Sequence, residues 1–230
     1  MLNEISLNII KSLCGNYVSC DLETTALKPA EGLIISMACV PFDITMNDRG
    51  IPTVNIQGYD IKEWWNYAID KQELNLLWGN EQTRQWHIEK NEAFPFYLGL
   101  ANDARGASRF DRNMFFTEFF KDQQASFLSR HAFDANWIAY HYPQEFETIN
   151  YRKFVDISSL IKGMGFEDRK LYKELEAKAI EGASTYQRYM IANSVIPNQT
   201  IFYKHRAVSD CLIDIFLLKE MLDYIWQYGE

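Results

Sequence analysis

Leu33-Ile34-Ile35-Ser36-Met37-Ala38-Cys39-Val40 is a short, nearly continuous apolar run closed by Pro41. It reads as a buried strand, and a buried strand commits the chain to a sheet with other elements packed over it. An earlier strand covers about residues 17–23, after a turn at Gly15-Asn16. A third plausible strand, residues 51–57, lies between Gly50 and Gly58. Short turns join the three, which predicts an antiparallel start to the sheet. Residues 5–13 alternate too irregularly to assign.

Further along the pattern changes. Residues 60–82 show no clean period, although Trp64, Trp65 and Trp78 signal buried surface. Thr83 is placed to N-cap a short helix through about Lys90. A loop follows at 99–109. An amphipathic helix is expected from Phe110 to Gln124, its Phe115, Phe116, Phe119 and Phe120 recurring at helical spacing. Ala125 to Ser129 reads as a buried strand, Asp134 to Tyr142 as a helix ended before Pro143, and Arg152 to Val155 as a strand leading into a helix over about 156–162. Residues 167–193 are charged, Ala-rich and helical in pattern, and a last helix runs from near Arg206 to about Tyr228. Strands first, then strands alternating with helices, predict one α/β domain over residues 1–230 with a mixed sheet. Within it, 167–193 is a candidate helical insertion.

Composition narrows the classes. At 47% hydrophobic residues the chain supports a packed core, and no apolar stretch approaches the ~18–20 residues that span a bilayer. The start Met1-Leu2-Asn3-Glu4 lacks the basic opening of a signal peptide, and the four cysteines (Cys14, Cys20, Cys39, Cys211) show no Cys-x-x-Cys spacing. The expectation is a cytoplasmic protein with reduced thiols, no structural zinc and no membrane. A net charge of −8 argues against tight, nonspecific coating of nucleic acid. Divalent ions held by carboxylates would still bring positive charge to one place, so phosphate chemistry stays open.

Asp21 and Glu23 end the first strand. Alternate residues of a strand share a face, so the two carboxylates point the same way and repel each other unless a cation lies between them. Oxygen ligands of this kind suit Mg²⁺ or Mn²⁺, although a solvated strand end is the plain alternative. Asp210, on the last helix, shares a largely apolar face with Ala207, Leu217 and Met221, as well as Asp214, and needs compensation by a cation or by hydrogen bonds. A place near the helix N-terminus would also suit it. His205 falls in the loop before that helix or in its first turn, where it could exchange protons. Asp134 follows a buried strand and is either a site residue or an N-cap.

These residues resemble the motifs of a known family. Asp21-x-Glu23-Thr24-Thr25-x-Leu27-x-Pro29, Phe133-Asp134 and His205-x-Ala207-x-x-Asp210 are similar, in order, to the three motifs of DnaQ-like 3′→5′ exonucleases of the histidine-bearing DEDDh branch, which have an RNase H-like fold. Thr83-x-x-Trp86, Tyr151-Arg152 and Asp156 are similar to features of the phage exonuclease A type and of exoribonuclease-like relatives. The chain departs from the pattern at Ala26, where glycine is usual, at Arg130, where many relatives have asparagine, and at Ser158-Ser159, where a more basic-polar pair is common. These departures bear on substrate preference.

The resemblance implies an RNase H-like mixed sheet flanked by helices. It implies two divalent cations, Mg²⁺ or Mn²⁺, held by Asp21, Glu23, Asp134 and Asp210, with His205 as the base. The substrate would be the 3′ end of single-stranded DNA or RNA, DNA slightly preferred, and the products nucleoside 5′-monophosphates. Thr24 and Thr25 would lie against the terminal nucleotide. Leu27 and Phe133 are candidates to stack or wedge bases, Phe133 being equally a core contact. Arg130, Lys204 and Arg206 are candidates for phosphate contacts or plain exposed charges. His87, His131 and His141 read as surface or packing residues. The alternatives are the same chemistry on RNA, and a noncatalytic acidic interaction protein with the same fold. Oligomeric state is open, a homodimer included.

Overall fold

Strand Gly15–Thr24 (β1), which carries Asp21 and Glu23, sits at the centre of a six-stranded mixed sheet. The computed structural model describes residues 4–65, 81–90, 125–148, 154–166, 168–193, 202 and 204–229. β1 is followed by Ile34–Met46 (β2), Pro52–Ile56 (β3), Lys62–Trp65 (β4), Ser126–Ser129 (β5) and Phe154–Asp156 (β6). The order across the sheet is β3-β2-β1-β5-β6, with β4 pairing onto β2. β1, β2 and β3 are antiparallel neighbours, while β5 runs parallel to both β1 and β6. The helices are Glu4–Ser12 (α1), Glu81–Lys90 (α2), Ala132–His141 (α3), Pro143–Thr148 (α4), Ile157–Gly163 (α5), Arg169–Ala192 (α6) and Ala207–Tyr228 (α7). This α/β arrangement is compatible with the RNase H-like fold.

The strand expected to stop at Pro41 runs on to Met46. The Pro41 carbonyl accepts from the Gln57 N–H at 2.9 Å, so its nitrogen faces that same edge. There the β4 ladder ends at Cys39 and the β3 ladder begins at Phe42. Proline falls in the gap between two partners, where its missing N–H breaks no ladder.

Side chains alternate across β1. Val18, Cys20 and Leu22 pack with Trp137 and Ile138 of α3. Tyr17 packs on the opposite side, in the core built around α7, and Ser19 reaches α7 with its hydroxyl. α7 buries thirteen residues, including Leu212, Ile215, Leu217 and Met221. A helix so apolar needs cover on more than one side, and β1, β2, α1 and α6 provide it. The segment expected as an insertion is α6. Its buried stripe Leu175, Ala179, Ala183, Gln187 and Met190 lies at three- and four-residue spacing; the first three join the α7 core, and Gln187 accepts from the Ser209 hydroxyl of α7.

Other element ends differ from expectation. Thr83 lies inside α2 and does not cap it. His131, not Asp134, is the N-cap residue of α3. That helix does end before Pro143, which then opens α4; the first turn of a helix tolerates proline because its N–H needs no partner there. Asp156 caps α5 by accepting from the Ser158 N–H at 2.9 Å. Residues 5–12 of the segment without a clear period form most of α1, with Ile10 buried. Trp78, the 99–109 loop and the Phe110–Gln124 helix lie outside the described residues. Among the described residues, no helix is long and apolar enough to cross a membrane.

Candidate metal centre

Asp21 and Glu23 leave β1 on the α7 side, and the first turn of α7 brings Asp210 to meet them. One carboxylate oxygen from each lies within 4.8 Å of the others. Two anchors hold α7 in that register. The Ser19 hydroxyl donates to the Cys211 carbonyl at 3.3 Å, and the Cys211 thiol donates back to the Ser19 carbonyl at 3.5 Å. At the N-cap, the buried Arg206 guanidinium donates from Nε to Glu63 of β4 at 2.9 Å. Arg206 is expected from the sequence as a phosphate contact or a plain exposed charge. It is instead 2% exposed and part of an internal ion pair.

Asp134 enters from α3. It is buried, and its Oδ1 accepts from the Leu22 N–H at 3.2 Å, which ties it to the strand between the other two acids. It lies outside the three-oxygen group, yet close enough to raise the proton affinity of Asp21 and Glu23. In the metal-free protein, burial pushes the carboxyls of Asp21 and Glu23 well above the usual range, and the neighbouring acids push further. Burial, then Asp214, raises Asp134 to about 8, against the Leu22 hydrogen bond. Carboxyls crowded and desolvated in this way release their protons at a cost that a bound cation offsets. An all-oxygen donor set fits a hard divalent ion such as Mg²⁺ or Mn²⁺.

A fifth acid, itself buried, has a protein partner. Asp214, one helical turn after Asp210, meets Arg130 at 2.6 Å, and Arg130 also reaches Glu176 of α6 at 3.4 Å. Burial still raises Asp214 to about 6. Arg130, a candidate substrate contact, thus has its guanidinium directed to these internal carboxylates.

His205 lies in the loop before α7, as one of the two expected placements had it, with left-handed backbone at φ 61°. Its N–H donates to Asp210 Oδ1 at 3.3 Å, and its Nδ1 lies 3.6 Å from Asp210 Oδ2. The Trp86 ring packs edge-on against the imidazole at 4.9 Å. Next to it, buried His87 donates from Nε2 to the Thr24 carbonyl at 2.9 Å. Burial lowers His87 to about 4, so it packs as a neutral ring.

These residues border a cavity of about 540 Å³, which Leu27, Phe133 and His131 also line. Leu27 is 67% exposed, a large apolar side chain turned to solvent at the rim. Phe133 is half-buried and also packs on Trp137 at 5.9 Å between ring centres. Thr24 borders the cavity and donates its hydroxyl to the Ala26 carbonyl at 2.8 Å. Thr25 is fully buried, and its hydroxyl accepts from the Leu33 N–H at 2.8 Å, which closes the loop after β1. Lys204 is exposed.

Sequence reasoning missed three features here: the Glu63–Arg206 and Arg130–Asp214 pairs, and His131 at the cavity; Trp86 was named only as part of the resemblance, without its place against His205. Asp214 on an apolar helix face was the one signal that pointed to a buried counter-charge. Comparison with models of known protein families gives no match, and no curated protein matches the chain.

Proposed function

We propose that the protein is a metal-dependent 3′→5′ exonuclease acting on single-stranded nucleic acid. The observation that carries this reading is the convergence of Asp21, Glu23 and Asp210 on one point of an open cavity, with His205 beside them. Asp21, Glu23 and Asp210 would hold one divalent ion, and Asp134 with Asp21 a second. Bound there, the cations would neutralise the phosphodiester and acidify a water, the two needs of phosphoryl transfer.

The chain's own residues supply the rest. Asp210 faces the Nδ1 side of His205, which turns Nε2 toward other partners and suits the ring to take a proton from the attacking water. Trp86 limits how far the imidazole can swing. Leu27 and Phe133 offer apolar surface at the rim on which terminal bases can rest. The net charge of −8 suits a substrate drawn to a cation-loaded centre better than one gripped along its length. A cytoplasmic setting is consistent with four free cysteines.

The test is digestion of matched single-stranded DNA and RNA oligomers, labelled at the 5′ end, with Mg²⁺ or Mn²⁺. A ladder shortening one nucleotide at a time, abolished by EDTA, is expected. The ratio of the two rates assigns the sugar. Cleavage that survives chelation overturns the metal-dependent reading, and no cleavage of either strand favours a noncatalytic binding protein.

A further inference from the structure

We propose that His131 reads the substrate by accepting a hydrogen bond at Nε2 from a neutral donor, the 2′-hydroxyl or an exocyclic base amine. The inference rests on the exonuclease reading and names a specificity residue within the same cavity.

Ser158 Oγ lies 2.5 Å from the Arg130 carbonyl and 3.0 Å from His131 Nδ1. Two oxygens that close must share a proton, and a carbonyl has none to give, so the single Ser158 proton belongs to the Arg130 contact. Ser158 Oγ therefore offers only a lone pair to His131, and Nδ1 must be the N–H side of the ring. In the neutral imidazole, Nε2 is then bare and can only accept.

Position makes this useful. His131 is exposed, lines the cavity, and is held through its backbone as well, since its carbonyl accepts from Ser129 Oγ at 2.7 Å. Among the described residues Nε2 has no partner. A bare acceptor repels a phosphate oxygen and favours an O–H or N–H donor. The carboxylates of the cavity are suited to cations, which leaves the His131 Nε2 as a nitrogen acceptor on the cavity wall. Ser158 thus acts on the substrate only through the histidine, as a positioning residue.

The experiment compares wild type, His131→Phe and Ser158→Ala on oligo(U), oligo(dA) and oligo(dT). Uridine and thymidine both carry a ring N3–H, so among hydrogen-bond donors oligo(U) and oligo(dT) differ only by the 2′-hydroxyl, and oligo(dA) adds an exocyclic amine. His131→Phe is expected to lower kcat/KM about five- to thirtyfold on oligo(U) or on oligo(dA), whichever carries the donor read, and to leave oligo(dT) unchanged. Ser158→Ala should weaken the same discrimination partly. Equal losses on all three, or none on any, overturn the proposal. Imidazole ¹⁵N NMR adds a readout without turnover: wild type should show the Nδ1–H tautomer at His131, shifting toward Nε2–H in Ser158→Ala. An Nε2–H tautomer in wild type also overturns it. If wild type cleaves none of the oligomers, the exonuclease reading falls instead. The role of His131 then stands if its Nε2 resonance moves on titration with oligo(U) or oligo(dA) but not oligo(dT), and falls if it does not.

Discussion

Replacing Asp134 with asparagine should make the metal-free protein more stable at pH 8 and leave it unchanged near pH 4. The Asp134 carboxyl is raised from 3.8 to about 8, first by burial and then by Asp214. Because its folded value lies above its unfolded one, the folded state keeps a proton that the unfolded chain has released between those pH values. Stability therefore falls as pH rises from about 4 to about 8 and is lowest above that window. The full shift corresponds to about 5 kcal/mol at pH 8 as an upper bound. Asparagine keeps the shape and an oxygen for the Leu22 N–H, now held at 3.2 Å, and removes the charge. With neighbouring acids relaxing in response, about 2–4 kcal/mol should be recovered, or a rise in Tm of roughly 5–15 °C for a domain of this size. Thermal unfolding with EDTA at pH 4 and pH 8, for both proteins, measures it. In millimolar Mn²⁺ the gap should shrink, because the ion stabilises wild type more. A Tm difference equal at both pH values, or a less stable Asp134→Asn protein at pH 8, refutes the argument from buried charge.

Other expectations follow from the same geometry. Glu63→Ala leaves the Arg206 guanidinium buried without its carboxylate, and should cost about 3–5 kcal/mol in urea unfolding, with activity falling because Arg206 anchors the turn that carries His205. His205→Asn keeps a residue tolerant of the left-handed backbone there and removes the proposed base; turnover of a 5′-labelled strand should drop about 10²- to 10⁴-fold, with an unchanged melting curve.

The sheet was legible in the sequence because its strands are short apolar runs between turn residues, and the 33–40 run could be little else. Its length past Pro41 was not, since it depends on two partner strands leaving a gap opposite that nitrogen. Thr83 and Asp134 have N-capping side chains, yet both are the third residue of their helices, where tertiary partners decide their roles: Thr83 is buried at the cavity and Asp134 accepts from β1. The acids of the candidate centre could be picked out one by one through strand alternation and helix faces. The pairing of Arg206 with Glu63, 143 residues away, has no local signature, because it exists only once β4 and α7 meet. The same holds for His131, whose interest lies in Ser158 from another helix.

The account depends most directly on the carboxylates drawing a divalent cation into the cavity, and Mn²⁺ titration by calorimetry or electron paramagnetic resonance measures that. In the proposed function Asp21 would serve both ions, so Asp21→Asn should weaken binding at least tenfold while the protein stays folded. Mn²⁺ binding that is absent in wild type, or that is unchanged in Asp21→Asn, would contradict the account.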